Sequence, residues 1–341
     1  MRVGICDYPS AYAFPPYGYG GIERWLWATA VGASRCGAEV HLIGPQWRAD
    51  LPGMWARLPL RLEEIRPGSA AFRYLNALSL DLLVVGHEYP SLPAWRDTWR
   101  ELGCDVVTFQ HDPDFRHAAD AFDGQRSRLF CYSAEMVERY RICKPYQAVS
   151  VQFGLNEETV PPAQNGHDLV WLGRLDGQKA PHLAACAAAK LGQRLRIIGT
   201  PVRDSRYTEA YRELTNAPHV ELVGEVVGSE KLQFLSNASV FVYTSARDYV
   251  EAGAATFGEA LRCGTPVAAL AWRPGTCAEN ALCDQTGSIA FADPELDDDA
   301  AAELLAEAIR RAQELPAVTV QEIGLTRFDP AVHFSTLAAR P

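Results

Sequence analysis

"VFVYTSARDYVEAGAATFGEALRCGTPVAAL", residues 240–270, holds two apolar runs with a helix-like segment between them. "VFVYTS" and "PVAAL" are apolar on both faces, as strands buried in a parallel sheet are. Between them, "AATFGEALRC" places Phe257, Ala260 and Leu261 at i, i+3 and i+4, a face that would lie on the sheet. Gly264, with Pro266 beyond it, ends the helix. The stretch reads as one β-α-β unit whose helix starts at the carboxyl end of a parallel sheet.

Glu251 and Glu259 bracket seven residues, nearly all small. Gly253, Ala254 and Ala255 would leave amide N–H groups exposed at the helix start, which is a ready anion site. If helical throughout, the stretch would set the carboxylates roughly 12 Å apart. That is about the length of a sugar joined through a diphosphate to a ribose. On this reading Glu251 accepts from sugar hydroxyls, the amides meet the diphosphate and Glu259 accepts from ribose hydroxyls. The competing reading makes Glu259 a solvated helix residue and Glu251 a loop charge. "LVWLGRLDGQKAP", residues 169–181, adds Arg174 and Lys179 after another strand, where a guanidinium and an ammonium would neutralise phosphates. As isolated surface cations they would do nothing.

Outward from these two stretches the same rhythm recurs. "RVGIC", "VHLIG", "DLLVVG", "DVVTFQ", "RLFCYS" and "AVSVQF" alternate with helix-like segments, and the pattern restarts with "DLVWLG", "RLRIIG", "VELVG", "VFVYTS", "PVAAL" and "GSIAF". The expected fold class is α/β, two doubly wound Rossmann-like domains. The first spans residues 1–155. Residues 156–168, polar and carrying two prolines, form a linker, and the second domain spans 169–325. "DDDAAAELLAEAIRRAQEL" reads as a helix whose end charges match its macrodipole. Residues 326–341 are open to a return to the first domain, which the sequence does not require.

The chain has 341 residues, 48% of them hydrophobic, enough for two cores, and a formal net charge of −10. That charge argues against a nucleic-acid partner, so a bound phosphate must be met by local cations. Nine cysteines lack metal-ligand spacing, and most sit in apolar runs, as expected of a reduced, cytoplasmic protein. No leader or membrane span is expected. "GYGG" is no dinucleotide fingerprint, because Glu23 stands where its third glycine is required. Asp112 and Asp114 form a pair that could hold a divalent metal, but with Arg174 and Lys179 in place no metal is expected.

The combination of "GRLDGQK" with the two spaced glutamates and "GEALRCGTPVAA" resembles the family 4 retaining glycosyltransferases, whose GT-B fold sets two Rossmann-like domains facing a central crevice. The resemblance implies transfer of a sugar from a nucleoside-diphosphate donor (UDP, GDP or dTDP type) to an acceptor hydroxyl with retention, without another cofactor. The resemblance implies that Arg174 and Lys179 stabilise the leaving diphosphate, with Gly173 of the same motif at the donor and Glu251 orienting the sugar. "GYGGIERWLWATA" is similar to its glycine-rich loop, putting Gly20 and Gly21 near the donor phosphates and the acceptor. "FQHDPDF" puts His111 near the transferred sugar, and Gly224, Glu225 and Val226 match the segment that holds the base. "AGAA" after Glu251 departs from the commoner family pattern. Tyr12, Phe14, Tyr17 and Tyr19 could face a sugar or natural-product acceptor, or could pack between domains; His111 could likewise be a satisfied buried histidine. A setting in antibiotic biosynthesis, of the avilamycin type, is the expected context. A nucleotide-sugar epimerase of the same fold and a non-catalytic nucleotide-sugar binder are the alternatives.

Overall fold

A computed structural model describes residues 1–18, 20–51, 55–86, 88–123, 127–145, 147–156, 159–162, 166–200 and 212–339. Parts of the expected linker, 157–158 and 163–165, lie outside them. The chain divides into two compact units: Met1–Asn156 together with Phe328–Pro341, and Glu157–Arg327.

In the first unit β1 (Arg2–Cys6), β2 (Glu39–Ile43), β3 (Ala56–Leu58), β4 (Leu82–Val85), β5 (Asp105–Phe109), β6 (Ser127–Cys131) and β7 (Gln147–Ser150) make one sheet in the order β3-β2-β1-β4-β5-β6-β7. All its pairings are parallel. In the second, β8 (Asp168–Leu172), β9 (Leu195–Ile198), β10 (Val220–Gly224), β11 (Ala238–Tyr243), β12 (Val267–Ala271) and β13 (Gly287–Phe291) run β10-β9-β8-β11-β12-β13, again parallel throughout. In each sheet the chain returns to the flank of its first strand and reverses direction, at β1/β4 and at β8/β11. Ligands in such sheets bind outside the carboxyl ends of strands at these switch points.

β4, β6 and β12 are buried at every residue, which is why their sequences lack alternation. β3 has three residues and only Leu58 is buried, so it leaves no apolar run to read. The helix Pro181–Leu191 buries Ala184 and Ala188, and the helix Asp298–Gln313 buries Ala302 and Ala306, in one core cluster under the second sheet. Such small side chains let two helices approach closely. Asp297 caps the latter helix by accepting from the Ala300 amide at 2.8 Å.

The helix Pro330–Ala338 packs within the first unit against the helix Gly21–Arg35. Asp329 caps it, accepting from the Ala331 and Val332 amides. The Trp25 indole donates to His333 Nε2 at 2.9 Å, so His333 carries its proton on Nδ1 and donates it to the Gln152 carbonyl at 2.7 Å. Burial pulls the His333 imidazole down to about 4. Among the described residues no helix is long and apolar enough to cross a membrane.

Candidate functional site

In the second unit the loops that follow β8 and β11 meet at the switch point. Thr244, just past β11, accepts from the Trp171 indole at 2.9 Å and donates to the Lys179 carbonyl at 2.8 Å, while the Ala246 amide donates to the Gln178 carbonyl at 2.9 Å. These bonds tie the two loops into one surface. Asp176, only 6% exposed, orders the first loop from inside: its carboxylate accepts from the Lys179 amide at 3.0 Å and lies 3.3 Å from Arg174 Nε. Arg174 also donates to the Gln178 side chain at 2.8 Å. Gly199 makes room for the loop, for its φ is +144° and a Cβ there would stand 1.8 Å from the Gly173 carbonyl oxygen.

The structure brings Lys179 and Glu251 together in an ion pair whose side chains are largely withdrawn from water. Tyr243, at the end of β11, donates to Glu251 at 3.4 Å, and the Lys179 ammonium lies 5.1 Å from the Tyr249 ring centre. Burial, and after it the Arg174 cation, pull the Lys179 ammonium down to about 8. Cys277 and the Asp176 carboxylate oppose that shift. Lys179 therefore stays charged at neutral pH while poorly hydrated, a state that favours a close anionic partner.

The helix occupies Ala255–Arg262, with Ala254 as N-cap in extended conformation and no side chain capping it. Glu251 therefore belongs to the loop, and the 12 Å spacing, which assumed continuous helix, does not apply. Gly253, Ala254 and Ala255 are half-buried at the helix start, and Phe257, Ala260 and Leu261 are buried as the pattern required. Glu259 is not a solvated helix residue: it is 3% exposed and accepts from Lys231 Nζ at 2.8 Å. Lys231 comes from the helix Gly228–Ser236, which follows Gly224, Glu225 and Val226 after the N-cap Val227. Gly224 ends β10 with φ +89°, Glu225 is exposed and Val226 half-buried.

In the first unit Gly20 is the N-cap of the helix Gly21–Arg35, with φ +142°, and its carbonyl accepts from the Arg24 amide at 3.2 Å. A Cβ on Gly20 would meet Glu23 Oε2 at 2.8 Å, whereas Gly21 is open around its Cα. Glu23 is buried and accepts from the Tyr8 hydroxyl at 2.9 Å and from Ser10. His111 lies just past β5, half-buried among Trp25, Phe109 and Tyr132, with the Tyr132 hydroxyl 3.3 Å from Nδ1. Asp112 and Asp114 point to local partners, the Asp114 amide donating to Asp112 at 2.8 Å and Arg139 standing 3.7 Å from Asp114.

The aromatic loop divides. Phe14 is fully buried, 5.1 Å from the Tyr8 ring and 5.5 Å from that of Trp47. It is a prop of the loop and offers no face to an acceptor. Tyr12 and Tyr17 are exposed, and Tyr17 stacks under the Arg48 guanidinium at 3.8 Å. Tyr19 lies outside the described residues. Beside the loop, near the carboxyl ends of β1, β2 and β4, a cavity of about 290 Å³ is lined by Asp7, Tyr8, Gln46, Arg61, Glu63 and Tyr89. Burial raises the Asp7 carboxyl to about 7, against the Gln46 amide that donates to it at 2.6 Å. Asp176 and Thr244 were visible only as polar loop residues, although Asp three positions before Lys179 is a spacing that favours a side chain-to-amide turn. Lys231 had no local signal at all.

Residues 156–321 match a family model described as "Glycosyl transferases group 1". No curated protein matches the sequence. Among solved structures, AviGT4, a glycosyltransferase involved in avilamycin A biosynthesis, is similar at 20% identity and TM-score 0.68, over 99% of this chain and 96% of that one. HepE (Alr3699) of Anabaena, solved with UDP and glucose, is similar at 15% identity and TM-score 0.67, over 99% and 98%. Sucrose-phosphate synthase from Thermosynechococcus elongatus is similar at 16% identity and TM-score 0.68, again over 99% and 98%. The two parallel-sheet units thus have the GT-B fold, and residues 156–321 carry the likeness to group 1 glycosyltransferases.

Proposed function

We propose that the protein is a retaining glycosyltransferase of the family 4 type. It moves a hexosyl or pentosyl group from a nucleoside-diphosphate donor to an acceptor hydroxyl. The observation that carries this reading is the paired Lys179 and Glu251 at the β8/β11 switch point, on two loops stitched together by Thr244. A cation and an acceptor-only carboxylate side by side suit a ligand with phosphate at one end and sugar hydroxyls at the other. The family match over the same unit supports it.

The donor diphosphate takes Lys179 from Glu251 and is met by Arg174 and by the amides of Gly253, Ala254 and Ala255. Glu251, released, accepts from a hydroxyl of the sugar, and Glu259 accepts from the ribose. As the glycosidic bond breaks, negative charge grows on the leaving phosphate where these donors already point. Loss of one such donor typically costs about 3 kcal/mol, or roughly a hundredfold in rate. Gly224, Glu225 and Val226 hold the base, Gly20 and Gly21 serve the donor phosphates, His111 serves the transferred sugar, and Tyr12 and Tyr17 serve the acceptor side. The leaving phosphate oxygen helps to take the acceptor proton, which accounts for retention without a covalent intermediate. The reaction needs no metal, and its setting is natural-product or oligosaccharide biosynthesis in the cytoplasm. That AviGT4 acts in avilamycin A biosynthesis supports that setting.

The test is donor turnover with and without acceptor. Transfer predicts that a UDP-, GDP- or dTDP-sugar is consumed when an acceptor from a glycoside panel is added, with an α-linked product from an α-linked donor. Interconversion of the donor alone would point to an epimerase, and binding without turnover to a binding module.

A further inference from the structure

The cavity beside the aromatic loop takes no part in the donor chemistry, yet its lining leaves buried acceptors unmet. Asp7, just past β1, is 5% exposed, and one of its carboxylate oxygens accepts from the Gln46 amide at 2.6 Å. The other oxygen has no donor among the described residues. Gly44 leaves room for this carboxylate, for its φ is +119° and a Cβ there would stand 1.9 Å from Asp7 Oδ1. The Gln46 side-chain oxygen is buried with no hydrogen-bond partner. Glu63 adds a second carboxylate from the short 3₁₀ helix Leu62–Glu64. The two phenols of the lining cannot serve these oxygens, because the Tyr8 hydroxyl donates to Glu23 at 2.9 Å and the Tyr89 hydroxyl to the Asp7 backbone carbonyl. Arg61, the one cation among the described lining residues, is exposed.

A cavity of open acceptors, with its phenolic donors already engaged, is completed by a ligand that brings donors. A hydroxyl brings one and carries no charge, whereas an ammonium brings three, accepts none and is positive. Burial, and after it the Glu63 charge, raise the Asp7 carboxyl to about 7. An ammonium beside the two carboxylates would offset their repulsion and hold Asp7 ionised. The volume of about 290 Å³ is at the low end of small-molecule sites, roughly 300–1,000 Å³, and suits a single small ring. We infer that this cavity is a site for an amine-bearing sugar, with Asp7 as the acceptor for its ammonium and Gln46 and Glu63 as acceptors beside it. Naming that sugar as the transfer acceptor rests on the transferase reading above; the site itself does not.

Titration of glucosamine, glucose and N-acetylglucosamine into the full chain tests it, because the three differ at one position in carrying an ammonium, a hydroxyl or a neutral amide. Salt at about 0.15 M screens the general attraction of a chain of net charge −10 for cations. Wild type should bind glucosamine about tenfold or more tightly than either neutral sugar. Asp7→Asn keeps the shape without the charge and should bring the ratio close to one. Glu63→Gln, at an exposed position, should lower it about threefold. A preference for glucosamine that survives in Asp7→Asn would overturn the inference, because diffuse attraction of a cation behaves that way. Equal binding of the three sugars by wild type, or binding of none, would overturn it too. Should Asp7→Asn not fold, Glu63→Gln decides, and an unchanged ratio there counts against the site. Donor turnover is read separately. Transfer to neutral glycosides, with no preference for the amine in binding, would remove the amine site and leave the transferase reading standing. Glucosamine held through Asp7 but never glycosylated would keep the site and remove its assignment to the transfer acceptor.

Discussion

Glu251 and Glu259 are each held by a lysine from another part of the chain, and the two pairs differ in what a ligand would do to them. Lys179 has the Arg174 cation nearby and a tyrosine ring centre at 5.1 Å, so on the proposed function a phosphate beside it would relieve like-charge repulsion and draw it off Glu251. Lys231 and Glu259 are more deeply buried and stay paired. Glu259→Gln should accordingly raise the donor KM about tenfold or more with little change in kcat. Steady-state kinetics over a donor series checks this, and an equal loss in kcat at unchanged KM would remove Glu259 from ribose binding. Asp176→Ala takes away the acceptor of the Lys179 amide and the partner of Arg174. It should cost about tenfold to a hundredfold in kcat/KM through misplacement of both cations, measured with melting temperature as the control for folding.

The loop after β8 depends on backbone approach as well as on side chains. Gly199→Ala forces a Cβ to within 1.8 Å of the Gly173 carbonyl, at a φ that L-residues avoid. About 2 kcal/mol or more of destabilisation is expected, seen as a drop of several degrees in melting temperature. An unchanged melt would mean that the loop adjusts freely. The strands and the helix after Glu251 were legible in the sequence because burial on both faces leaves continuous apolar runs and helices leave a period. β3 was not, since three residues with one buried side chain carry no pattern. Phe14 read as an acceptor platform, but local sequence does not reveal the packing against Trp47 that buries it. The spacing from Glu251 singled out Glu259, but its burial left no local signal, because the ion pair with Lys231 joins two helices with a strand between them in the chain.

The first unit joins Met1–Asn156 to Phe328–Pro341, and its seam is pH-sensitive. His333 is buried neutral, with Nε2 accepting from Trp25 and Nδ1 donating to Gln152. Its imidazole is pulled down to about 4, below the unfolded value of about 6.5. The unfolded chain therefore binds the proton first as pH falls. Stability is full above about 6.5 and declines towards pH 4 by up to about 3 kcal/mol. Thermal melts of wild type and His333→Gln between pH 7 and 4.5 should diverge, with wild type losing more on acidification. Parallel curves would contradict the buried neutral assignment.

Across the whole molecule, the central claim is that the second unit binds a nucleoside diphosphate through Lys179 without a metal. Titration calorimetry of UDP, GDP and dTDP into the full chain with chelator present, repeated with Lys179→Ala, tests it most directly. One of these nucleotides should bind at one site per chain, and this binding should be lost, or weakened about a hundredfold, in the variant. Failure of all three nucleotides to bind, or binding that requires an added divalent ion and is indifferent to Lys179, would contradict it.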